Sequence, residues 1–428
     1  MTARLRSIAV ATAVASAAAL SLGACSSSSS SSAGGSGSGS AITLHVVGFE
    51  GGGNEIADIP TINAAFEKSH PGVKIDYKYV ANEEYDAYNN TRLAAGTAAD
   101  VLMVNRSRVI TWQEQGYLAD LSDQPWVGRL LPAMKPFTQV GAKTYDFVQQ
   151  NIPIGLYANL DLLKQAGIDQ VPTDWPSFLK ALDTLKAKGI GGIEIPNLKG
   201  WNALQVSLAL AANLGDPAWG ANYDNGSSTW AASWAPEIDK LKQLLTSGAV
   251  DGKTMNGIDP FSQGVQAFAG GKYAFYVDGA WDLSHYKESA KFSFSLNPFP
   301  GGDAGSTPKT FTFIGSGWSV NAASKQQTAA KQYVDFMSQP EQDSAYLAAE
   351  SCFTTLSDVP SPETPEAAPV SAAFKAGNTS PSQIELITYP NGEDKIKDQL
   401  NALFNDSSMA TSDLLAKLDK TIPKTPAK

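Results

Sequence analysis

Residues that could catalyse a reaction are few and scattered in this chain. The three histidines, His45, His70 and His285, are isolated and lack the spacing of metal ligands. No G-x-S-x-G motif for a serine nucleophile occurs. Glu50 and Asp278 could form the carboxylate pair of a glycoside hydrolase, but nothing in the sequence sets them the required distance of about 5 to 10 Å apart. We therefore predict a binding protein without a metal or cofactor rather than an enzyme.

Polar side chains follow two strand-like segments, where they could contact a ligand. Glu50 and Asn54 come after the first segment, and Asn105, Arg106 and Arg108 come after the other. Because open α/β sheets bind ligands beyond the ends of their parallel strands, these five residues are candidates for a binding site. The guanidinium of Arg106 could form forked hydrogen bonds to adjacent hydroxyl groups, or it could form an ordinary surface salt bridge.

The first 40 residues predict export and attachment to a membrane. Arg4 and Arg6 precede an apolar stretch, as in a secretory signal. The sequence LGAC that ends at Cys25 resembles the bacterial lipobox, in which the cysteine is acylated and becomes the first residue of the mature chain. We expect residues 1–24 to be the signal peptide and Cys25 to carry the lipid. Residues 25–40 are rich in Ser and Gly and should form a flexible tether. The alternative is an ordinary signal peptide with a chance cysteine.

Composition narrows the class of protein and its partners. Residues 41–428 are enough for two or three domains with buried cores. The formal net charge of −10 argues against nucleic acids and anionic lipid surfaces as partners. The chain has only two cysteines, so with Cys25 acylated no disulfide framework is possible. Cys352 has apolar surroundings in the sequence and is predicted to be a small buried side chain.

Strand-like and helix-like segments alternate along the chain, which predicts sheets covered by helices. The first unit has strand patterns over 42–47, 73–80 and 100–104, separated by helical patterns over 59–68 and 85–96. A second unit has helices that begin at Asp174 and Pro236, and strands over 190–195 and 273–277. Residues 394–418 are helical in pattern.

Several segments match one protein family in their order and spacing. They are AFEK at 65–68 with PGVKI at 71–75, LAAGT at 93–97, GYLADL at 116–121, GLYANLDLL at 155–163, QAGI at 165–168 with PTDW at 172–175, AFAGGKYAF at 267–275 with DGAW at 278–281, GWSV at 317–320 and YVDFM at 333–337. Together they resemble the family 1 extracellular solute-binding proteins of ABC importers, which include the maltodextrin binders. The chain departs from the family at Asp146-Phe147-Val148, where a Pro near a Tyr is more usual.

The resemblance implies an α/β, two-lobed fold of the type II periplasmic-binding-protein kind. Each lobe would be a mainly parallel sheet flanked by helices, and hinge strands would join the lobes near residues 151–155, 313–319 and 355–366. We assign residues 41–152 and 319–358 to lobe 1, and residues 153–318 and 359–428 to lobe 2. The ligand would lie in the cleft between the lobes.

A cleft for a carbohydrate needs flat aromatic rings for stacking and planar polar groups for hydroxyls. Trp281 stands where the family presents a ligand-facing tryptophan, while Asp278 could contact the ligand or simply hold the turn. Trp318 follows Gly317 at a hinge, and Trp201 lies on a loop. Trp230 could face the cleft or pack inside lobe 2. The predicted ligand-binding residues are Trp281, Trp318, Trp201, Gly317, Glu50, Asn54, Asn105, Arg106, Arg108, Tyr157, Asp278 and Trp230.

The function implied by the resemblance is solute capture for an ABC importer. We predict a monomeric lipoprotein on the outer face of the cytoplasmic membrane, anchored through Cys25. It would bind a mono- or oligosaccharide and deliver it to the permease subunits of the importer. The main alternative is the same role with a non-sugar solute, and a surface glycoside hydrolase or an adhesin is a weaker one.

Overall fold

The computed structural model describes residues 41–49, 58–389 and 392–422. Glu50, Asn54 and Cys25 therefore lie outside the described residues. Within these ranges the strands, numbered in chain order, are β1 Ile42–Gly48, β2 Val73–Tyr79, β3 Val101–Val104, β4 Gln139–Val140, β5 Lys143–Thr144, β6 Phe147–Val148, β7 Asn151–Asn159, β8 Gly191–Glu194, β9 Tyr273–Gly279, β10 Phe294–Asn297, β11 Thr310–Ile314, β12 Gly317–Val320 and β13 Thr379–Pro381.

Helices separate most of these strands and cover the sheets. They are α1 Ile59–Ser69, α2 Asn82–Ala95, α3 Arg106–Glu114, α4 Lys135–Thr138, α5 Leu160–Ala166, α6 Trp175–Ala187, α7 Trp201–Leu214, α8 Trp219–Asp224, α9 Trp230–Ser233, α10 Ala235–Thr246, α11 Gly252–Met255, α12 Val265–Ala269, α13 Leu283–Ser289, α14 Gln327–Met337, α15 Pro340–Glu350, α16 Ala368–Lys375, α17 Gly392–Asn405 and α18 Thr411–Thr421.

The first sheet has five strands in the order β2-β1-β3-β12-β6. Strand β1 is parallel to β2 and to β3, as the alternation of strands and helices in the sequence predicts. Strand β12 is antiparallel to both of its neighbours, β3 and β6. Four strands of this sheet therefore run in one direction and β12 runs against them.

The second sheet has six strands, with the path β13-β11-β7-β9-β8 and β10 also paired to β7. Strand β7 is antiparallel to β9, β10 and β11, while β8 is parallel to β9 and β13 is parallel to β11. Five strands thus run in one direction and the central strand β7 runs against them.

The reversed strand of each sheet is the one that the chain enters directly from the other sheet. The chain passes from β6 in the first sheet to β7 in the second across residues 149–150. It returns from β11 to β12 across residues 315–316. Because each connection is so short, the strands that it joins must lie close together, and the two sheets are therefore next to each other.

Helix ends follow the capping residues that the sequence indicates. Asp174 begins α6 with a capping box, in which its carboxylate accepts the Ser177 N–H at 2.9 Å. Pro236 occupies the first turn of α10, where a missing N–H costs nothing. The helical pattern over 394–418 is interrupted, because the Asp406 carboxylate accepts both the N–H and the hydroxyl of Ser408 and forms a turn there.

The core is built from the inward faces of both sheets and their helices. Strand β3 is buried along its whole length, and so is β7. Cys352 is also fully buried, as its apolar flanks predict. Among the described residues, no helix is both long enough and apolar enough to cross a membrane.

Candidate functional site

A groove lies between the segment after β3 of the first sheet and elements of the second sheet, and it encloses about 560 Å³ when the open space at its mouth is counted. One wall comes from the start of α3, and the other from β11 and the chain that leads into α17. The lining residues are Asn105, Arg106, Ser107 and Ile110 on the first wall, and Phe313, Ile384, Glu385, Ile387, Tyr389, Gly392, Glu393 and Ile396 on the second. Two predicted site residues, Asn105 and Arg106, therefore face elements of the opposite sheet.

Asn105 holds the first wall in place by capping α3. Its side-chain oxygen accepts the Arg108 N–H at 3.1 Å, which satisfies one of the free donors at the start of the helix. The residue is half-buried, so part of its side chain still faces the groove. The cap fixes Ser107 and Arg106, which follow it at the groove edge.

Arg106 links the two walls. Its side chain is 6% exposed, and it donates from Nε to the Glu385 carbonyl at 3.2 Å and from a terminal nitrogen to the Phe137 carbonyl at 3.1 Å. Burial lowers the pKa of the guanidinium, and the nearby carboxyls of Asp146, Glu385 and Asp224 oppose that effect. At least two of its N–H groups are thus committed to main-chain carbonyls and are not offered to a ligand.

Two carboxyls share this buried environment with Arg106. Burial raises the pKa of Asp146 to about 8, although Arg106 acts in the opposite direction. Burial likewise raises the pKa of Glu385 well above its ordinary value, while its carboxylate accepts the Ile314 N–H at 3.1 Å. A buried guanidinium and two buried carboxyls whose ionised forms are disfavoured therefore lie together beside the groove.

Arg108 lies on the side of α3 that faces the first sheet. It is 6% exposed, and its Nε donates to the Asp86 carboxylate at 2.6 Å. Its guanidinium carbon is 4.4 Å from the centre of the Phe49 ring and 4.6 Å from that of Tyr85. These contacts hold α3 against α2 and against Phe49, and Arg108 is not among the residues that line the groove.

Trp201 adds an aromatic surface beside the second wall. It begins α7, its ring centroid is 6.1 Å from that of the groove residue Phe313, and the half-exposed Phe261 lies 5.5 Å away. Gly200 before it has a φ of +80°, and a Cβ there would come within 2.2 Å of the Lys397 carbonyl oxygen. Only glycine allows this approach, which places Trp201 against α17.

Trp281 lies at the same end of the second sheet as Phe313. It comes two residues after Gly279, which ends β9 and pairs with Ile154 of β7. Phe313 of β11 pairs with Ile152, which is two residues earlier on β7 than Ile154. The indole is half-buried, and its ring covers Gly279 so closely that a Cβ there would be 2.3 Å from it. Part of the Trp281 ring is therefore exposed, at the end of the sheet where Phe313 lies.

Asp278 and Tyr157 hold the backbone around Gly279, just before Trp281, in place. The Asp278 carboxylate is 5% exposed and accepts the Tyr286 hydroxyl at 2.9 Å and the Gly279 N–H at 2.8 Å. Burial, with the neighbouring Asp282 carboxyl, raises its pKa well above the ordinary value. The Tyr157 hydroxyl donates to the Gly279 carbonyl at 3.0 Å from a fully buried position. Both side chains hold the turn before Trp281.

Three other predicted residues have no surface to offer a ligand in this structure. Trp318 is fully buried, and its indole N–H donates to the Gln149 side chain at 2.6 Å. Gly317 is also buried, with its backbone close to Phe147. Trp230 packs within an aromatic cluster with Trp219, at 4.5 Å between ring centroids, and with Trp234. Gly317 and Trp318 are buried on β12, and Trp230 is buried at the start of α9.

Sequence reasoning did not select Phe313, Phe261 or Tyr389, although all three lie at or near the groove. Phe313 alternates with Phe311 on β11, which signals a strand but not which end of it meets the cleft. Tyr389 precedes a Pro-Asn-Gly sequence, and that turn signal was the available hint. Phe261 is 57% exposed, which no sequence pattern could reveal.

Comparison with known proteins identifies the family. The sequence model of the bacterial extracellular solute-binding proteins matches residues 61–374, well over half of the chain. The chain belongs to this family. Its members act outside the cytoplasm, and the structures it resembles are solute-binding proteins rather than enzymes.

Individual relatives of this solute-binding protein are distant in sequence. The multiple sugar-binding protein of Streptococcus mutans is 24% identical over 66% of this chain and 68% of its own length. An uncharacterised extracellular-binding protein of an ABC transporter from Pyrococcus horikoshii is 25% identical over 56% of this chain, which spans 57% of that relative.

Solved structures match almost the whole chain. A chitin oligosaccharide binding protein has a TM-score of 0.75 at 20% identity, covering 90% of this chain and 98% of the other. A solute-binding protein in complex with raffinose has a TM-score of 0.71 at 20% identity, covering 89% and 98%. The prediction of a two-lobed α/β fold in this family is confirmed.

Proposed function

We propose that this chain captures a carbohydrate in the groove between its two lobes and delivers it to the permease of an ABC importer. The lobes would be residues 41–152 with 319–358, and residues 153–318 with 359–428. The observation that carries the proposal is the groove itself, which has polar side chains of the β3–α3 segment on one wall and aromatic rings on the other. The connections at 149–150 and 315–316 lie within about three residues of the proposed bounds at 152 and 318.

The chemistry of the groove supports a polyhydroxylated ligand. Phe313 and Tyr389 line it, and Trp201 lies beside Phe313. Trp281 follows β9, whose end lies at the same end of β7 as that of β11. Aromatic faces suit the C–H patches of a sugar ring. Asn105, Ser107 and Glu393 supply groups that can exchange hydrogen bonds with hydroxyls. Named relatives and neighbours bind multiple sugars, chitin oligosaccharides, raffinose and stachyose, which supports carbohydrate over other solutes.

Anchoring is the second part of the proposal. The sequence around Cys25 supports export, acylation and a Ser/Gly tether on the outer face of the cytoplasmic membrane. Partners would then be a carbohydrate, the permease subunits and the membrane through the lipid, with the chain as a monomer.

The binding proposal is tested by titrating the protein with sugars and recording tryptophan fluorescence and heat. The panel contains chitin oligosaccharides, raffinose, stachyose and their monosaccharides, with amino acids and short peptides as non-sugar probes. We expect saturable binding of at least one sugar, with the sugar recovered unchanged. Hydrolysis of the sugar would contradict the proposal, and saturation by the non-sugar probes alone would assign a different solute.

Trp281 provides the sharpest variant for this test. Replacing it by Ala removes a ring whose stacking is worth about 1.5 kcal/mol, so affinity should fall by more than about tenfold. Trp281→Phe keeps an aromatic face and should retain most of the affinity. Unchanged binding by Trp281→Ala would move the site away from this edge of the sheet.

A further inference from the structure

Phe261 is the most exposed large apolar side chain among the described residues, at 57%. It lies in the helical turn Pro260–Gly264 and is not one of the residues that line the groove. Leu198, three residues before Trp201, is also exposed, at 38%. Exposed apolar side chains that lie together beside a binding groove indicate contact with a ligand or partner, whereas a single one would not.

Three aromatic rings connect the groove to this exposed surface. Phe313 lines the groove, and its ring centroid is 6.1 Å from that of Trp201. The Trp201 centroid is in turn 5.5 Å from that of Phe261. Phe313 and Trp201 are half-buried, whereas Phe261 is exposed. The rings therefore lead from the groove outward to solvent, at spacings over which aromatic rings contact each other.

The backbone that carries Phe261 is held in place although its ring is exposed. The Phe261 N–H donates to the Asp259 carboxylate at 2.8 Å, and the Asp259 N–H donates to the Gln263 side-chain oxygen at 3.0 Å. The hydroxyl of Tyr276, a fully buried residue of β9, donates to the Pro260 carbonyl at 2.9 Å. The exposed ring is thus fixed to the second sheet through the turn that precedes and follows it.

The loop before Trp201 is joined to the chain that leads into the same turn. The Asn197 N–H donates to the Met255 carbonyl at 2.7 Å, and the Leu198 N–H donates to the Ile258 carbonyl at 3.1 Å. The backbones that carry the two rings are therefore connected directly. Aromatic rings that are positioned before a ligand arrives lose little conformational entropy on binding, which suits a contact surface.

The surroundings of these two rings suit a neutral ligand with many hydroxyl groups. The Lys397 ammonium is 5.5 Å from the centre of the Trp201 ring, and it pairs with Glu393 at 3.1 Å and with Asp394 at 2.8 Å. The positive charge beside the rings is thus already paired within the protein. Ser262 and Gln263, which follow Phe261, are exposed and carry groups that exchange hydrogen bonds with hydroxyls.

We propose that Trp201 and Phe261 form an outer stacking surface for a sugar unit beyond the groove, so that the protein selects oligosaccharides over monosaccharides. The proposal rests on the proposed function of sugar capture. One sugar unit is held against Phe313, and a following unit places its C–H face on Trp201 and Phe261. A single sugar unit held against Phe313 does not extend to Phe261, so Phe261 makes the affinity depend on the length of the sugar.

The test is calorimetric titration of the full chain with two series of sugars that differ in length. One series is N-acetylglucosamine with chitin oligosaccharides of increasing length, and the other is galactose, raffinose and stachyose. In at least one series we expect the affinity to rise by about tenfold or more from the monosaccharide to the longer members, because two further rings are contacted. A series that binds with one affinity at every length would overturn the proposal.

Phe261→Ala is the decisive variant, because it removes an exposed ring and leaves the backbone hydrogen bonds of the turn. It should weaken binding of the longest sugar that binds by roughly threefold to tenfold, and the loss should become smaller as the sugar becomes shorter. Phe261→Tyr keeps the aromatic face and should behave like the unmodified chain. Phe292→Ala is the matched control, since Phe292 precedes β10 at the end of β7 opposite to Phe313, and it should bind every sugar normally.

The outcomes distinguish this proposal from sugar capture itself. If the unmodified chain and Phe261→Ala bind each sugar with equal affinity, the outer stacking surface is refuted while sugar capture stands. An equal loss at every length would also refute it, because Phe261 would then act on the groove rather than on an added sugar unit. If the unmodified chain binds no sugar of either series, sugar capture fails and this proposal fails with it.

Discussion

Arg106 shows how a single buried side chain can join two walls of a site. It spans from α3 to the carbonyl of Glu385, and it is the cation beside the buried carboxyls of Asp146 and Glu385. Removing one member of such a group leaves the others without compensation, which costs more than the group contributes when complete.

Replacing Arg106 by Ala should therefore destabilise the fold. The change leaves two main-chain carbonyls and two buried carboxyls without their cation, and we expect a loss of roughly 2–4 kcal/mol in the free energy of unfolding. Denaturant unfolding measures it. Lys375→Ala is the control, because its pair with Glu363 is exposed and should contribute less than about 1 kcal/mol. Equal losses in the two variants would contradict the linking role of Arg106.

A second prediction at the residue scale concerns Glu194 on β8. The side chain is 1% exposed, and burial raises its pKa to about 8 from an ordinary value of 4.5. Between these values the folded state holds a proton that the unfolded state has released, so stability falls as pH rises from about 4.5 to about 8. Below that window the group has no effect on the pH dependence.

Glu194→Gln removes this titration and should flatten the curve of unfolding free energy against pH. The difference between variant and unmodified chain should grow steadily from pH 5 to pH 8 in favour of the variant. Urea unfolding at several pH values measures it. Exposed Glu288→Gln should run parallel to the unmodified chain, and a parallel curve for Glu194→Gln would refute the prediction.

The residue type shows which contacts a side chain can make, but its position in the fold decides whether a ligand can reach it. Trp281 and Trp318 are the same residue type, each close to glycines in the sequence. Trp318 lies on β12 between two neighbouring strands and is buried, whereas Trp281 follows the end of β9 and keeps free surface. The order of strands in the sheets buries one ring and exposes the other, and that order cannot be read from a single sequence. Their roles in binding stay predictions.

For secondary-structure elements, signals from neighbouring residues predicted helix starts correctly, whereas the pairing of distant strands could not be predicted. Asp174 predicts the start of α6 because its cap is made within four residues. The direction of β7 depends on its pairing with β9, more than 100 residues away, and no local pattern reports it. For the same reason the second wall of the groove could not be identified from Phe313 and Tyr389 alone.

Gly279 at the end of β9 gives a prediction at this scale. Its backbone is extended, so alanine is allowed there, but the added Cβ would come within 2.3 Å of the Trp281 ring. Gly279→Ala should displace that ring, at a cost of about 1–3 kcal/mol, and weaken sugar binding by roughly tenfold. Gly128→Ala is the control, since nothing lies near its Cβ position. Calorimetric titration of both variants measures the difference, and equal affinities would contradict it.

For the whole molecule, the fold class follows from the ordered family segments, while the groove does not. Its walls come from the start of α3, from β11 and from the chain that leads into α17, which are far apart in the sequence. The segments identify the family because each marks a local turn, cap or strand in a fixed order. They contain no information on how distant elements enclose space.

Membrane attachment is tested on the whole molecule. Cys25→Ser removes the only proposed acylation site, so the protein should move from the membrane fraction to the soluble fraction of the expressing cells, since loss of both acyl chains abolishes stable anchoring. Cys352→Ser is the matched control: its buried sulfur lies in the folded part, and that variant should remain with the membrane. Immunoblots of the two fractions measure it. Retention of Cys25→Ser at the membrane would exclude the lipid anchor.

The reversed strands also constrain the order of folding. Among the described strands, β6 pairs only with β12, and β12 begins at Gly317, long after β6 has been synthesised at Val148. The whole of the second sheet except β13 is made in that interval. The half that starts first is therefore completed late, and a chain cut before Gly317 would leave β3 as an open edge and β6 unpaired. Neither half is a contiguous piece of sequence that could be expressed or exchanged by itself.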